Sequence, residues 1–427
     1  MSGWNRRRFI AHTGVAGVTM SYLPWRRARA GGARVVVVGG GFGGATCARY
    51  LHMLERSLEV VLVERDVRYV TCPFSNLVLG GVLDIDALSI GYARLEAGGV
   101  RLIHDSVDGI DVERRRVHLG GGDTLDYDRL VVAPGIELRF DAVPGYDRDA
   151  AELLPHAWQA GAQTLALRAR LVAMADGGVV VIAVPAEPYR CPPGPYERAS
   201  LIAHYLIRHK PKSKVLILDA KDGFSKQGLF RQAWAERYPG MIEWVPGSQG
   251  GIVEAVDARR GALVTESGFT EQRGDVINFI PPQRAAAIAR RAGLVDDSGW
   301  CPVDQHSFAS TLAPDVHVIG DAAVAGAMPK SAFSANSQAK VCAAAVVASL
   351  RGETLPMPSY ANTCYSLVAP DYGISVSAVY RLNAGRVITA VEGAGGVSPA
   401  EVGTDFRAKE ADYARGWYAA ITADSWG

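Results

Sequence analysis

Val35-Val36-Val37-Val38-Gly39-Gly40-Gly41-Phe42-Gly43-Gly44 decides the fold of this chain. Four valines in a row read as a strand buried on both faces. Gly39, Gly41 and Gly44 make G-x-G-x-x-G, and a helix pattern follows over 45–55. A second strand pattern over 58–63 ends at Glu64, 20 positions after Gly44. The glycines let backbone N–H groups approach a pyrophosphate at a helix start, and the acid accepts ribose hydroxyls. A lone G-x-G-x-x-G is a weak signal. Strand, glycines, helix, strand and acid in register predict a bound dinucleotide.

A second strand–turn–helix unit lies further along. Val179–Val184 is a buried-strand pattern, and a helix pattern runs over 196–209. The turn between them reads Tyr189-Arg190-Cys191-Pro192-Pro193-Gly194-Pro195. A nucleotide loop needs backbone N–H groups, and proline has none. The turn suits a rigidly held thiol better than a phosphate. Arg190 beside Cys191 is expected to favour the thiolate. A structural crosslink is the alternative for Cys191. Glu197 is either a base serving sulfur chemistry or a favourable acid at a helix start. Strand patterns over 214–219 and 242–245 complete this half, and Asp219 ends its second strand as Glu64 does in the first unit. The half reads as a duplicated nucleotide fold that has lost its ligand.

Two further segments favour FAD over NAD at the first site. Residues 127–135 form a strand pattern ending in Ala133-Pro134-Gly135, and 316–321 form one ending in Gly320-Asp321. Each resembles a recurring segment of the two-dinucleotide-domain flavoproteins, in which the Gly-Asp aspartate binds the ribityl chain. The fold class expected is α/β: two doubly wound Rossmann-like domains and a small C-terminal α+β domain. The expected partition is 31–145 with 280–355 for FAD, 146–279 for the second unit, and 356–427 for a flavin cover and interface.

Residues 1–30 read as a twin-arginine signal peptide that is removed: Arg6-Arg7-Arg8-Phe9-Ile10, a short apolar stretch, then Ala28-Arg29-Ala30. This predicts export to the periplasm. Removing six arginines and no acids takes the net charge from +1 to about −5. An acidic mature chain argues against a general nucleic-acid role. No apolar run is long enough to span a bilayer. The six cysteines form no C-x-x-C pair, which gives neither a local zinc site nor a c-type haem attachment site. Cys47 and Cys342 read as buried residues of helices, and Cys301 as a core residue rather than a stray thiol.

Over essentially its whole length the chain resembles the flavoprotein subunit of flavocytochrome c sulfide dehydrogenase. The resemblance is carried by residues 69–76 (YVTCPFSN), 190–199 (RCPPGPYERA) and 328–337 (MPKSAFSANS). It implies that Cys72 holds FAD through a thioether. It also implies that Cys191 and Cys364 form a redox-active disulfide beside the flavin. It further implies oxidation of hydrogen sulfide to sulfur or polysulfide, with electrons passed to a c-type cytochrome subunit. Lys330 and Ser331 precede a helix pattern whose start is expected to face the flavin, and Trp417 and Tyr418 are expected to cover it. The alternatives are a sulfide:quinone oxidoreductase, an NAD(P)H-dependent disulfide reductase, and a non-enzymatic flavin-bearing partner of a cytochrome or sulfur carrier.

Overall fold

The computed structural model describes residues 32–265 and 270–427. The signal-peptide reading therefore lies outside the described residues. The opening valines form the strand Arg34–Val38, in the middle of a five-stranded parallel sheet. It pairs with Glu59–Val63 on one side and Arg129–Val132 on the other. Arg101–Ile103 and Val316–Val318 are the edges. Neighbours on both sides of the first strand leave a crevice beyond its carboxyl end, which is the binding position in such sheets. The helix Phe42–Leu54 starts there, immediately after the glycines.

The second unit repeats the plan. Val179–Val184 lies inside a parallel sheet, between Lys214–Asp219 and Val276–Phe279, with Ile242–Val245 on the edge. Its first strand leads into the cysteine turn, and the helix Gly194–His209 leads out. The helix begins two residues earlier than the pattern suggested. Pro195 in its first turn has no N–H to leave unpaired and holds φ near the helical value.

The C-terminal region is an antiparallel sheet of Ser359–Ala369, Tyr372–Leu382 and Ile388–Val397, followed by a 23-residue helix, Thr404–Trp426. Strands and helix together match the small α+β domain expected here. The first strand packs on the cysteine-turn helix and on the helix Ala332–Arg351. It therefore carries Cys364 to the seam between the two nucleotide-type units. Long-range hydrogen bonds hold it there: Tyr238 Oη donates to the Val368 carbonyl at 2.7 Å, and the Leu367 N–H donates to Glu197 Oε1 at 2.8 Å.

The last helix returns to the first unit. Trp426 stacks on Tyr69 with ring centroids 5.3 Å apart and meets Phe42 edge-on at 4.9 Å. Asp424 pairs with Lys340 at 2.8 Å and accepts from Tyr50 Oη at 2.9 Å. Cys47 and Cys342 are both fully buried where the helices Phe42–Leu54 and Ala332–Arg351 pack together, and Cys301 is fully buried in the same core.

Candidate functional site

A cleft of 1120 Å³ opens at the carboxyl ends of the first sheet and runs under the C-terminal strands. Gly39, Gly41, Glu64, Cys72, Cys191, Glu197, Asp321, Cys364 and Trp417 all line it. Those nine positions are scattered over most of the sequence, and the fold brings them to one cavity.

The glycine end is built for a phosphate-bearing ligand. Gly39 has φ +96°, a conformation that side chains rarely adopt. A Cβ on Gly44 would lie 1.8 Å from the Gly39 carbonyl oxygen, so helix and loop approach each other through that glycine. Glu64 Oε2 accepts the Gly40 N–H at 2.7 Å, and its Oε1 accepts from Asp66 N at 3.0 Å. Both carboxylate oxygens keep a second lone pair for ribose hydroxyls. At the other end, Asp321 Oδ1 and Trp417 Nε1 are buried with no protein partner among the described residues. An orphaned acceptor and an orphaned donor on one cleft wall fit a ligand with hydroxyl, carbonyl and ring-nitrogen groups. Burial raises the Asp321 carboxyl above its usual range, against the pull of Arg190 and Lys330. Gly44→Ala is expected to yield a chain with little bound flavin, because the obstacle is backbone and cannot rotate away. The ratio of visible to ultraviolet absorbance of the purified protein measures this.

The thiol end is formed by three chain segments. Cys191 has φ +60°, which is unusual for a residue with a side chain. Its N–H donates to the Lys330 carbonyl at 2.8 Å, and its carbonyl accepts the Gly194 N–H at 2.8 Å. The turn is thus held in one shape from both sides. Cys191 and Cys364 are separate thiols in this structure. Burial pushes the Cys191 thiol up, and the nearby Cys364 and Glu197 push the same way. Arg190 opposes them and is outweighed. The expectation that Arg190 makes Cys191 a ready thiolate is therefore corrected: adjacency favoured the anion, but burial decides. Cys72 Sγ lies 3.9 Å from the Trp158 carbonyl oxygen. The Arg190 guanidinium donates to that same carbonyl.

Glu197 sits in the first turn of its helix, with both oxygens engaged. Oε2 accepts from Asn76 Nδ2 at 2.9 Å and Oε1 from the Leu367 N–H. Burial raises its carboxyl above the usual range. It ties the cysteine-turn helix to the strand that carries Cys364. Lys330 does not reach the cleft lining. Its ammonium donates to the carbonyls of Asp321 at 2.7 Å and Ala323 at 3.2 Å, and lies 3.6 Å from the Trp300 ring centroid. Burial pushes its pKa down to about 8. Lys330 links the Gly-Asp turn, through its ammonium on the Asp321 carbonyl, to the cysteine turn, through its carbonyl on the Cys191 N–H. Ser331 caps the following helix by accepting from Ser334 N at 3.0 Å. Tyr418 turns its hydroxyl to Thr71 Oγ1 at 2.7 Å.

Sequence reasoning missed Arg198, Lys226, Asn76, Asn278 and Asn362. Arg198 is 2% exposed and donates to Asn76 Oδ1, Asn278 Oδ1 and the carbonyls of His156 and Ala157 at 2.6–3.0 Å. A charge buried so fully requires partners, but all four lie at least 41 positions away in sequence.

In the second unit, the acid that ends the second strand is engaged by the chain itself. Asp219 is fully buried and accepts from Tyr196 Oη at 2.5 Å, Trp244 Nε1 at 3.0 Å and Lys221 Nζ at 2.6 Å. Phe224 stacks on Tyr196 with ring centroids 3.6 Å apart. NADH added under anaerobic conditions is expected to leave the flavin spectrum unchanged. Rapid bleaching would show that a nicotinamide reaches the flavin by another route.

Fold and site together define a flavoprotein of the two-dinucleotide-domain class. Residues 33–182 match the pyridine nucleotide-disulphide oxidoreductase family model. Residues 164–281 match the central region of the sulfide dehydrogenase [flavocytochrome c] flavoprotein chain, and 356–426 match the flavocytochrome c sulphide dehydrogenase flavin-binding region. Over those two regions, and over the short match below, the chain is similar to the flavoprotein chain of flavocytochrome c sulfide dehydrogenase. It is 64% identical over 45 residues to the flavoprotein chain of Chlorobaculum thiosulfatiphilum, covering 10% of this chain and 94% of that sequence. It is 24% identical over 301 residues to the mitochondrial sulfide:quinone oxidoreductase of Dictyostelium discoideum, covering 67% of this chain. The chain spans 65% of the length of that relative and of the Mus musculus relative. The crystal structure of the Aquifex aeolicus sulfide:quinone oxidoreductase superposes with TM-score 0.72 at 17% identity, over 92% of each chain, and shares the fold.

Proposed function

We propose that this protein oxidises hydrogen sulfide with bound FAD through a redox-active pair, Cys191 and Cys364, and passes the electrons to a c-type cytochrome. The observation that carries this reading is the single cleft that joins a dinucleotide loop, the Asp321 turn and three thiols from distant segments. The matches to the sulfide dehydrogenase [flavocytochrome c] flavoprotein models support the substrate and the partner. FAD supplies a two-electron acceptor that can release electrons singly. Gly39, Gly41, Gly44 and Glu64 would hold its adenosine diphosphate portion, and Asp321 and Trp417 the remainder. Cys72 is proposed as the covalent tether.

The residues of this chain do the rest. Hydrosulfide attack on the joined pair breaks its S–S bond, leaving a persulfide on one cysteine and a thiolate on the other. Glu197 holds the helix of one cysteine against the strand of the other. Its two hydrogen bonds support a positioning role rather than that of a mobile base. The Arg190 and Arg198 side chains give this end of the cleft positive charge, which favours an anionic substrate. We propose that residues 1–30 act as a leader and that the protein works in the periplasm, a compartment in which a disulfide persists.

The test mixes purified holoprotein with sulfide under anaerobic conditions and follows flavin absorbance, then adds cytochrome c or a water-soluble quinone. Flavin reduction followed by cytochrome reduction is the expected result. Turnover with quinone and none with cytochrome would replace the acceptor. An unreduced flavin would leave only a flavin-bearing binding protein. Mass spectrometry of the denatured chain is expected to find FAD on the peptide containing Cys72, and a freely released flavin would remove that tether.

A further inference from the structure

The two thiols of the cleft stand in unlike surroundings. Cys364 Sγ lies 3.3 Å from Asn362 Nδ2 and 3.8 Å from Asn362 Oδ1. The orientation of that amide is fixed from its other side. Asn362 Oδ1 accepts from Ser331 Oγ at 2.6 Å and from Ser334 Oγ at 3.2 Å, both in the capped first turn of the helix Ala332–Arg351. With two hydroxyls on the oxygen, the amide N–H faces the sulfur. Asn362 is 3% exposed, so water does not compete for the bond.

A buried cation from the second unit, Lys226, reaches the same strand. Lys226 Nζ donates to the Cys364 carbonyl at 2.9 Å and to Ser366 Oγ at 2.8 Å. Lys226 is 7% exposed and has no carboxylate within ion-pair distance among the described residues. Burial lowers its pKa, and of the charges opposing this Cys364 acts most strongly, followed by Glu197, Cys191 and Glu410. Tyr380, on the adjacent strand, also faces Cys364. Among the described residues no side chain donates a hydrogen bond to the Cys191 sulfur; the charges of Arg190 and Arg198 act on it, and burial together with Cys364 and Glu197 outweighs the pull of Arg190.

We propose that Asn362 and Lys226 are positioning residues that make Cys364 the leaving thiolate, so that hydrosulfide attacks the sulfur of Cys191. The S–S bond between the two cysteines breaks, and its electron pair goes to Cys364. A new S–S bond joins the incoming sulfur to Cys191, giving Cys191–S–SH and Cys364–S⁻ with charge conserved. In thiol–disulfide exchange the sulfur better stabilised as an anion leaves faster. A hydrogen bond to a charged sulfur is stronger than one to a neutral group. This inference rests on the sulfide-oxidising reading for its substrate, but its test does not.

Holoprotein reduced with dithiothreitol and freed of it is treated with iodoacetamide, and each cysteine peptide is quantified by mass spectrometry. Cys364 is expected to be alkylated at least about tenfold faster than Cys191 at pH 7, the thiolate being the reactive form. Asn362→Ala and Lys226→Met are each expected to slow Cys364 alkylation about tenfold. Asn362→Ser keeps a donor and is expected to restore part of the rate. Faster alkylation of Cys191 would overturn the inference. So would an unchanged Cys364 rate in a folded Asn362→Ala or Lys226→Met protein. A second readout traps the oxidised protein after one equivalent of sulfide: a persulfide on Cys191 supports the assignment, and one on Cys364 overturns it. The alkylation contrast needs no sulfide, so its failure is distinct from failure of sulfide oxidation.

Discussion

Cys191→Ser is expected to lower sulfide-dependent electron transfer by about 10³-fold or more while leaving flavin bound. Serine is close to cysteine in size, and the turn does not rely on sulfur for its shape. That shape comes from the Cys191 N–H on the Lys330 carbonyl and from the Gly194 N–H on the Cys191 carbonyl. The substitution therefore tests chemistry rather than folding. A hydroxyl cannot form the S–S bond that the proposed step requires, and no other partly exposed thiol on the cleft wall besides Cys72 stands near Cys364. Stopped-flow absorbance of the flavin after mixing with sulfide is the measurement. A variant that reduced its flavin at more than a tenth of the normal rate would rule out a pair-based mechanism.

Arg198→Met is expected to destabilise the fold by about 3–5 kcal/mol, read as a lower urea midpoint with an unchanged slope. Methionine replaces the apolar stem but none of the donors. The amide oxygens of Asn76 and Asn278 and the carbonyls of His156 and Ala157 then lose a charged partner inside the protein. Each buried acceptor so stranded costs about 1–3 kcal/mol, with partial relief where the groups rearrange. The guanidinium also lies 4.8 Å from the Trp158 ring centroid, and the Trp158 carbonyl faces both Arg190 and Cys72. Loss of Arg198 is thus expected to loosen the wall beside Cys72 as well. Burial lowers its pKa to about 10, still well above neutrality, so the native group is charged throughout the physiological range. Arg198→Lys is expected to recover only part of the loss, because one ammonium cannot span four acceptors set for a planar fork.

Both nucleotide-type units were legible because buried parallel strands are written as unbroken runs of Val, Ile and Leu. Val35–Val38 and Val179–Val184 stand out against any background. Glu64, Asp219 and Asp321 were legible because each ends such a strand at a fixed offset. The helix Thr404–Trp426 was not. Its polar residues are spread around the axis, and it is held by distant contacts such as Trp426 with Tyr69 and Asp424 with Lys340. Asn362 and Lys226 carried no local signal either: Lys226 finds its partners 138 and 140 positions away. The net effect on Cys191 was misread for a related reason. Sequence shows the neighbouring Arg190 but not the walls that close around the thiol.

The stacked pair Tyr196 and Phe224 over Asp219 has a consequence for how this molecule is coupled to its surroundings. In a dinucleotide-binding unit that waits for its ligand, stability rises with ligand concentration as RT ln(1 + [L]/Kd). Here the Asp219 carboxylate is satisfied when the chain folds, by Tyr196, Trp244 and Lys221. If NADH leaves the flavin spectrum unchanged, the stability of this half carries no mass-action dependence on nicotinamide, and the scaffold that presents Cys191 is uncoupled from that pool.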